Sequence, residues 1–248
     1  MVQEGIYKNP VMLNQVAHKS VKIGRVDNFN FARDLNSVLI TGQEFLEASK
    51  HYPIVFVSGK GEDIVPLAIL GLRQKGNLFI DDDGKWKESA YIPAFFRRYP
   101  FILAESDTSG ENFAVSVDAS YEGFDKEEGM ALFDDEGNPT NELNQIMEFL
   151  KQYQMQNMIT QEFIKKLVSY NLLKDFAADV TLPAGEKLGF RGLKMVNEKA
   201  LLELDDDKAL DLFRRGFLAW IYGHLFSLGN FRVLGAAETK KTAVGKAA

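Results

Sequence analysis

The stretch NPTNELNQIMEFLKQY, residues 138–153, divides the chain into two textures. Within it Leu143, Ile146, Met147, Leu150 and Tyr153 recur at the three- and four-residue spacing of one helix face, and Pro139 and Thr140 stand where a helix opens. Upstream lie short runs rich in β-branched residues: VKIGRV (21–26), SVLI (37–40), IVFVSG (54–59) and IVPLAILGL (64–72). These read as strands, with Pro66 implying an edge or the beginning of its strand. ENFAVSVDASY (111–121) alternates, with Phe113, Val115 and Val117 on one side, the pattern of a half-buried strand. Downstream, Phe163, Ile164, Leu167 and Val168 continue the helical spacing, with a break expected near Asn157–Thr160. AADVTLP and EKLGFRGLKMV then predict a strand hairpin with bends at Gly185, Gly189 and Gly192. Asn197 is placed to cap a helix over EKALLEL. Asp205–Asp207 start a last helix that Gly229 ends.

Strands before Asn138 and helices after it do not alternate regularly. The fold class is therefore α+β, with an antiparallel or mixed sheet in the N-terminal half and helices mainly in the C-terminal half. Residues 1–236 read as a single domain. GAAETKKTAVGKAA is small and polar, so 237–248 read as a flexible tail.

Three local patterns carry a physical reading. Thr41 followed by Glu44 is a capping box that opens a short helix, which Pro53 stops. NLFIDDDGKW (77–86) and ALFDDEGNPT (131–140) both combine aspartates with a glycine. Set as calcium loops with the glycine at position six, they place Phe79 and Ala90, or Leu132 and Leu143, where oxygen ligands are needed. They read instead as turns in which glycine supplies positive φ.

Composition excludes several classes. A net charge of −6 gives no footprint for nucleic acid or an anionic membrane. The chain has no cysteine, which removes disulfides, cysteine-ligated metals and thiol nucleophiles. MVQEGIYKNPVMLNQ lacks a basic segment followed by an apolar run, so no signal peptide is expected there. The longest uncharged stretch, GFLAWIYGHLFSLGNF, is too short to span a membrane, which takes ~20 predominantly apolar residues. Phosphate-binding glycine loops and a nucleophile elbow are absent, and no two of His18, His51 and His224 have helical metal spacing. No metal and no cofactor is expected; His51 and His224 read as structural.

The most aromatic stretch, YIPAFFRRYPF (91–101), holds the adjacent pair Arg97 and Arg98. Pro93 suits a first helical turn, and Tyr99 before Pro100 leaves helical geometry, so residues 92–98 make two turns at most. Ile92, Phe95, Phe96 and Tyr99 then share a face. Two readings of the arginines stand. In one they complement the helix C-terminus, worth about 0.3–1 kcal/mol, cover aromatic surface and pair with one of the 35 acidic residues. In the other, one guanidinium joins Trp86, Tyr91 or Tyr99 in a site for an anion or a peptide carboxylate. Arg97, Arg98, Trp86, Tyr91 and Tyr99 are thus the candidate ligand-binding residues. No catalytic residue is assigned.

LNQVAHK (13–19), FNFAR (29–33), YPIVF (52–56), NLFIDDDGKW, YIPAFFRRYPF, LFDDEGNPT (132–140) and YGHLFSL (222–228) occur in this order. Together with Glu44-Phe45, they make the chain resemble the SapC-like bacterial family from about Leu13 to Leu234. The family's naming implies a surface-layer role. Its frequent filing as a peptide-transporter permease conflicts with the lack of a spanning segment. Its association with flavin-dependent halogenases, cupin-type oxygenases and outer-membrane receptors implies a cytoplasmic accessory role. Three functions follow: a non-catalytic binding or accessory protein for a peptide or protein partner, a surface-layer structural protein reaching the cell surface by a signal-independent route, and an enzyme using Asp81, Asp82 or His18 with the arginines.

Overall fold

A computed structural model describes residues 5–59, 63–105, 113–182 and 185–244. Three antiparallel sheets organise it. Strands β1 (Pro10–Met12), β6 (Phe101–Glu105) and β7 (Phe113–Asp118) form one, in the order β1-β7-β6. β2 (Lys22–Ile23) pairs β8 (Met130–Ala131), so VKIGRV supplies a strand of only two residues. The main sheet holds β3 (Ser37–Leu39), β4 (Ile54–Ser58), β5 (Ile64–Ile69), β9 (Leu173–Thr181) and β10 (Lys187–Val196), in the order β3-β5-β4-β10-β9. The hairpin β9–β10 reaches back from the C-terminal half and completes this sheet beside β4. Its register shifts between Phe190 and Leu193, where Gly192 takes φ +72. That bend lets one strand pair two differently aligned neighbours.

The fold is α+β, as the texture change at Asn138 implied. Several local expectations differ from the structure. Pro66 lies in an internal strand, not an edge, because β5 pairs both β3 and β4. Its carbonyl accepts from Ile40, just past the end of β3 at Leu39. A residue's N and O point to the same side of a strand, so the missing donor falls where the ladder has already ended. The break expected near Asn157–Thr160 does not occur: α3 (Asn141–Ser169) is continuous. There the Thr160 hydroxyl donates to Gln156 O at 2.6 Å and accepts from Gly42 N at 2.9 Å, so a helix-indifferent residue is fully bonded.

The last helix is divided. α5 (Asp206–Arg214) and α6 (Phe217–Ser227) are separated by Gly216 at φ +74, a left-handed residue that ends the first. After Gly229 the chain turns helical again as α7 (Asn230–Val244), where the composition implied a tail from 237. Glu238 is buried and accepts from Arg73 Nε at 2.5 Å, which ties that part of α7 to the loop after β5. Among the described residues no helix is long and apolar enough to cross a membrane.

One core spreads between the main sheet and the helices. Phe45 of α1 (Phe45–Ala48), Phe56 of β4, Phe163 of α3 and Phe217 of α6 are all buried there, with Phe163 and Phe217 ring centroids 5.2 Å apart. α4 (Glu198–Leu202) follows Asn197, whose side chain makes no capping bond.

Candidate functional site

The candidate site is built on α2 (Ala94–Arg97), a single turn after Pro93. Its anchor is Glu44. The capping-box carboxylate accepts from the amide and the hydroxyl of Thr41, both at 2.9 Å, through Oε2. Through Oε1 it accepts from Ala94 N at 2.7 Å and from the Tyr91 hydroxyl at 2.9 Å. One buried carboxylate thus opens the 3-10 turn at Gly42–Glu44 and satisfies the first amide of α2. Four donors stand in for the solvation that a buried charge loses. Behind α2, Phe95 and Phe96 are buried, and Phe96 meets Trp86 at 5.4 Å.

The two arginines leave α2 toward an aromatic ridge on α3. Arg97 donates to Ile92 O and to the Tyr91 hydroxyl, both at 3.1 Å, and its guanidinium lies 5.3 Å from the Phe149 ring centroid. Arg98 lies 4.1 Å from the Phe95 centroid and 4.9 Å from that of Tyr153, one helical turn beyond Phe149. Arg98 Nε is buried and meets no hydrogen-bond acceptor. Among the described residues neither arginine has a carboxylate oxygen within 4.0 Å, so the internal ion pair of the first reading is not there; cation–π stacking holds both. The surrounding phenols stay protonated. Burial pushes Tyr7 up to about 12, against the opposing charge of Arg98. Burial and then the Glu44 charge push Tyr91 up.

Two clefts meet at this ridge, and Arg97 and Phe149 line both. The first, about 370 Å³, has apolar walls that include Ile23, Phe96, Phe101 and Ile146. Arg25, Arg97 and Arg98 line it, and no aspartate or glutamate does. The second, about 610 Å³, is polar, with Gln43, Gln152 and Gln156 beside Glu44, Glu47 and Glu148. Both lie in the size range of small-ligand and peptide-anchor pockets, about 300–1,000 Å³.

The sequence candidates separate accordingly. Arg97 reaches both clefts, Arg98 and Tyr99 the apolar one, and Tyr91 the polar one. Tyr99 is buried and stacks on Phe31 at 4.1 Å. Trp86 joins neither cleft; it is buried against Phe29 and Phe96 in the core. Sequence reasoning missed Arg25 and Phe149. Arg25 sits alone after a strand, and no local pattern marks it. Phe149 precedes Tyr153 by four residues on the face of α3, a spacing that could have flagged the ridge.

Two of the three residues considered for catalysis, His18 and Asp81, are engaged in local turns. His18 Nδ1 accepts from Asn14 N at 3.0 Å, and Asp81 Oδ1 accepts from Lys85 N at 2.8 Å within its own turn. Gly84 and Gly137 supply the positive φ of the two acidic turns. His224 is buried, its Nε2 accepting from Val196 N at 3.0 Å and its Nδ1 donating to Ile54 O at 2.8 Å.

The sequence model of the SapC family matches residues 13–234. The chain belongs to the SapC family. No significant match to a curated protein or to a solved structure is found. Within this SapC chain, the quoted segment YIPAFFRRYPF contributes α2 and both arginines, and LFDDEGNPT leads into α3, which carries their aromatic ridge.

Proposed function

We propose that this SapC protein is a non-catalytic binding or accessory protein that holds a segment of a peptide or protein partner in the clefts between α2 and α3. One observation carries the reading. In a chain of net charge −6, Arg25, Arg97 and Arg98 surround an apolar cleft with no acidic lining residue, and among the described residues none has an acidic partner within 4.0 Å. A guanidinium left without a counter-ion at an apolar surface is a ready partner for a carboxylate or other planar anion. The cytoplasmic setting, and a partner in a halogenase or oxygenase system, rest on the family resemblance alone.

The test is selection from a random peptide library on the folded protein. Wild type enriches a set of sequences that Arg25→Ala/Arg97→Ala does not, with far-UV and near-UV circular dichroism unchanged between the two. Equal enrichment by both proteins removes these clefts as the site.

A further inference from the structure

The two clefts differ in charge, and that polarity bears on which part of a partner would fit. Resting on the peptide-binding reading above, we infer that the partner is recognised by its C-terminus: an apolar last side chain in the first cleft, its free α-carboxylate on Arg25 and Arg97, and a basic residue upstream in the second cleft. Three observations converge. The apolar cleft brings arginine charge and hydrophobic wall together, with Ile23, Phe96, Phe101, Ile146 and Phe149 in its lining. A terminal residue presents that pairing in reverse, since its carboxylate and its side chain leave the same Cα. An internal Asp or Glu carries its charge at the tip, with no apolar group beyond it.

The second observation is the junction. Arg97 and Phe149 belong to both clefts, so a chain lying over them passes from one into the other. The third is the far side. Gln43 and Gln156 offer amide donors and acceptors of the kind an extended backbone needs, and Glu148, which accepts from Gln152 Nε2 at 3.1 Å, adds exposed negative charge, whereas Glu47 is already paired with Lys50 at 2.7 Å. The arginine-lined apolar cleft attracts an anion and the carboxylate-lined polar cleft disfavours one, so the pair discriminates by order: basic upstream, apolar and anionic at the end. Arg97 is held ready for this. Its Nε and Nη2 are already bonded to Ile92 O and Tyr91, which restricts the guanidinium before a ligand arrives. Capture of a C-terminal carboxylate beside a side-chain pocket is a recurring mode of peptide recognition.

The experiment varies the ligand, so it does not depend on a variant folding. N-terminally fluorescein-labelled hexapeptides ending Lys-Ser-Leu or Lys-Ser-Phe are titrated by fluorescence polarisation, each as the free acid and as the C-terminal amide. The free acids are expected to bind at least about tenfold more tightly than the amides, the scale of one charge-assisted hydrogen bond. Replacing the lysine by glutamate is expected to weaken them again, and Arg97→Ala is expected to reduce the acid's advantage to less than about threefold. Equal binding of acid and amide overturns the C-terminal assignment while leaving the peptide-binding reading intact. Binding of octanoate with no binding of any peptide overturns both and assigns the apolar cleft to a small amphiphile. Retention of the full acid preference by Arg97→Ala and by Arg25→Ala places the carboxylate elsewhere and also overturns the inference.

Discussion

The Tyr91 hydroxyl donates to Glu44 Oε1 at 2.9 Å, so the residue that opens the arginine-bearing stretch is fixed by the residue that opens α1. The same hydroxyl accepts from Arg97 Nη2 at 3.1 Å. Direction is therefore set along the chain from guanidinium to phenol to carboxylate.

Glu44→Gln is expected to cost more than Tyr91→Phe. Four donors face the carboxylate, and an amide offers one oxygen and turns its NH₂ toward the others. The loss for Glu44→Gln should be about 3 kcal/mol, since buried donors are left without acceptors. Tyr91→Phe removes one of the four bonds to Glu44 and the exposed bond from Arg97, and should cost about 1–2 kcal/mol. Urea unfolding of both variants checks the order; equal losses would mean that the phenol, not the carboxylate, organises α2.

His224 makes stability depend on pH. In register, β10 pairs β4 through Leu193 with Val57 and Lys194 with Phe56, which would next bring Val196 opposite Ile54. The imidazole sits between those two residues and accepts from one while donating to the other. Burial, opposed by the bond to Ile54, lowers its pKa from 6.5 to about 4. Between those values the unfolded chain binds a proton that the folded chain refuses. Stability is therefore full above about pH 6.5 and falls as pH drops toward 4, by about 3 kcal/mol in total. His51, whose pKa is lowered by burial and by Lys50, acts in the same direction. Subtracting the pH profile of His224→Gln isolates the buried ring; an unchanged slope between pH 6.5 and 4 in that variant would contradict the assignment.

Two glycines should respond to alanine for different reasons. At Gly216 a Cβ meets nothing within 4 Å, but φ is +74. The cost of Gly216→Ala is then backbone strain alone, about 1 kcal/mol. At Gly42 a Cβ would lie 2.2 Å from Trp220 Cε3, a ring packed against Phe45, Phe163 and Phe217. Gly42→Ala must push that ring aside and should cost about 2–3 kcal/mol. Denaturation midpoints at constant m-value check the difference.

What could be read from the sequence was what local pattern controls. Apolar runs such as IVFVS became the buried centre of the sheet, and Leu143, Leu150 and Tyr153 became the inner face of α3. The failures came where a distant partner decides. Thr160 reads as a weak point of a helix until Gly42 donates to it, and Pro66 reads as an edge until β3 ends beside it. The tail composition reads as frayed until Glu238 finds Arg73. The site shows the same division. YIPAFFRRYPF is conspicuous by itself, and four of its five associated candidates do line the clefts. Arg25 and Phe149 are inconspicuous because only the fold brings them beside Arg97, and Trp86 is conspicuous but belongs to the core.

Arg98→Met separates a structural arginine from a ligand-facing one. The guanidinium gains from Phe95 at 4.1 Å and Tyr153 at 4.9 Å, contacts worth about 0.5–2 kcal/mol together. Against this stands a buried Nε with no acceptor, a loss of about 1–3 kcal/mol, and a charge with no acidic partner among the described residues. Methionine keeps the apolar stem and can make sulfur–aromatic contacts with the same rings. The two effects nearly cancel, so stability should change by less than about 1 kcal/mol. If the clefts bind an anionic segment, affinity should nonetheless fall, by about three- to tenfold, because one of three positive charges lining the apolar cleft is gone. Thermal unfolding and peptide titration on the same preparation give both numbers. A large stability loss with unchanged affinity would make Arg98 a packing residue and leave Arg25 and Arg97 to carry the charge.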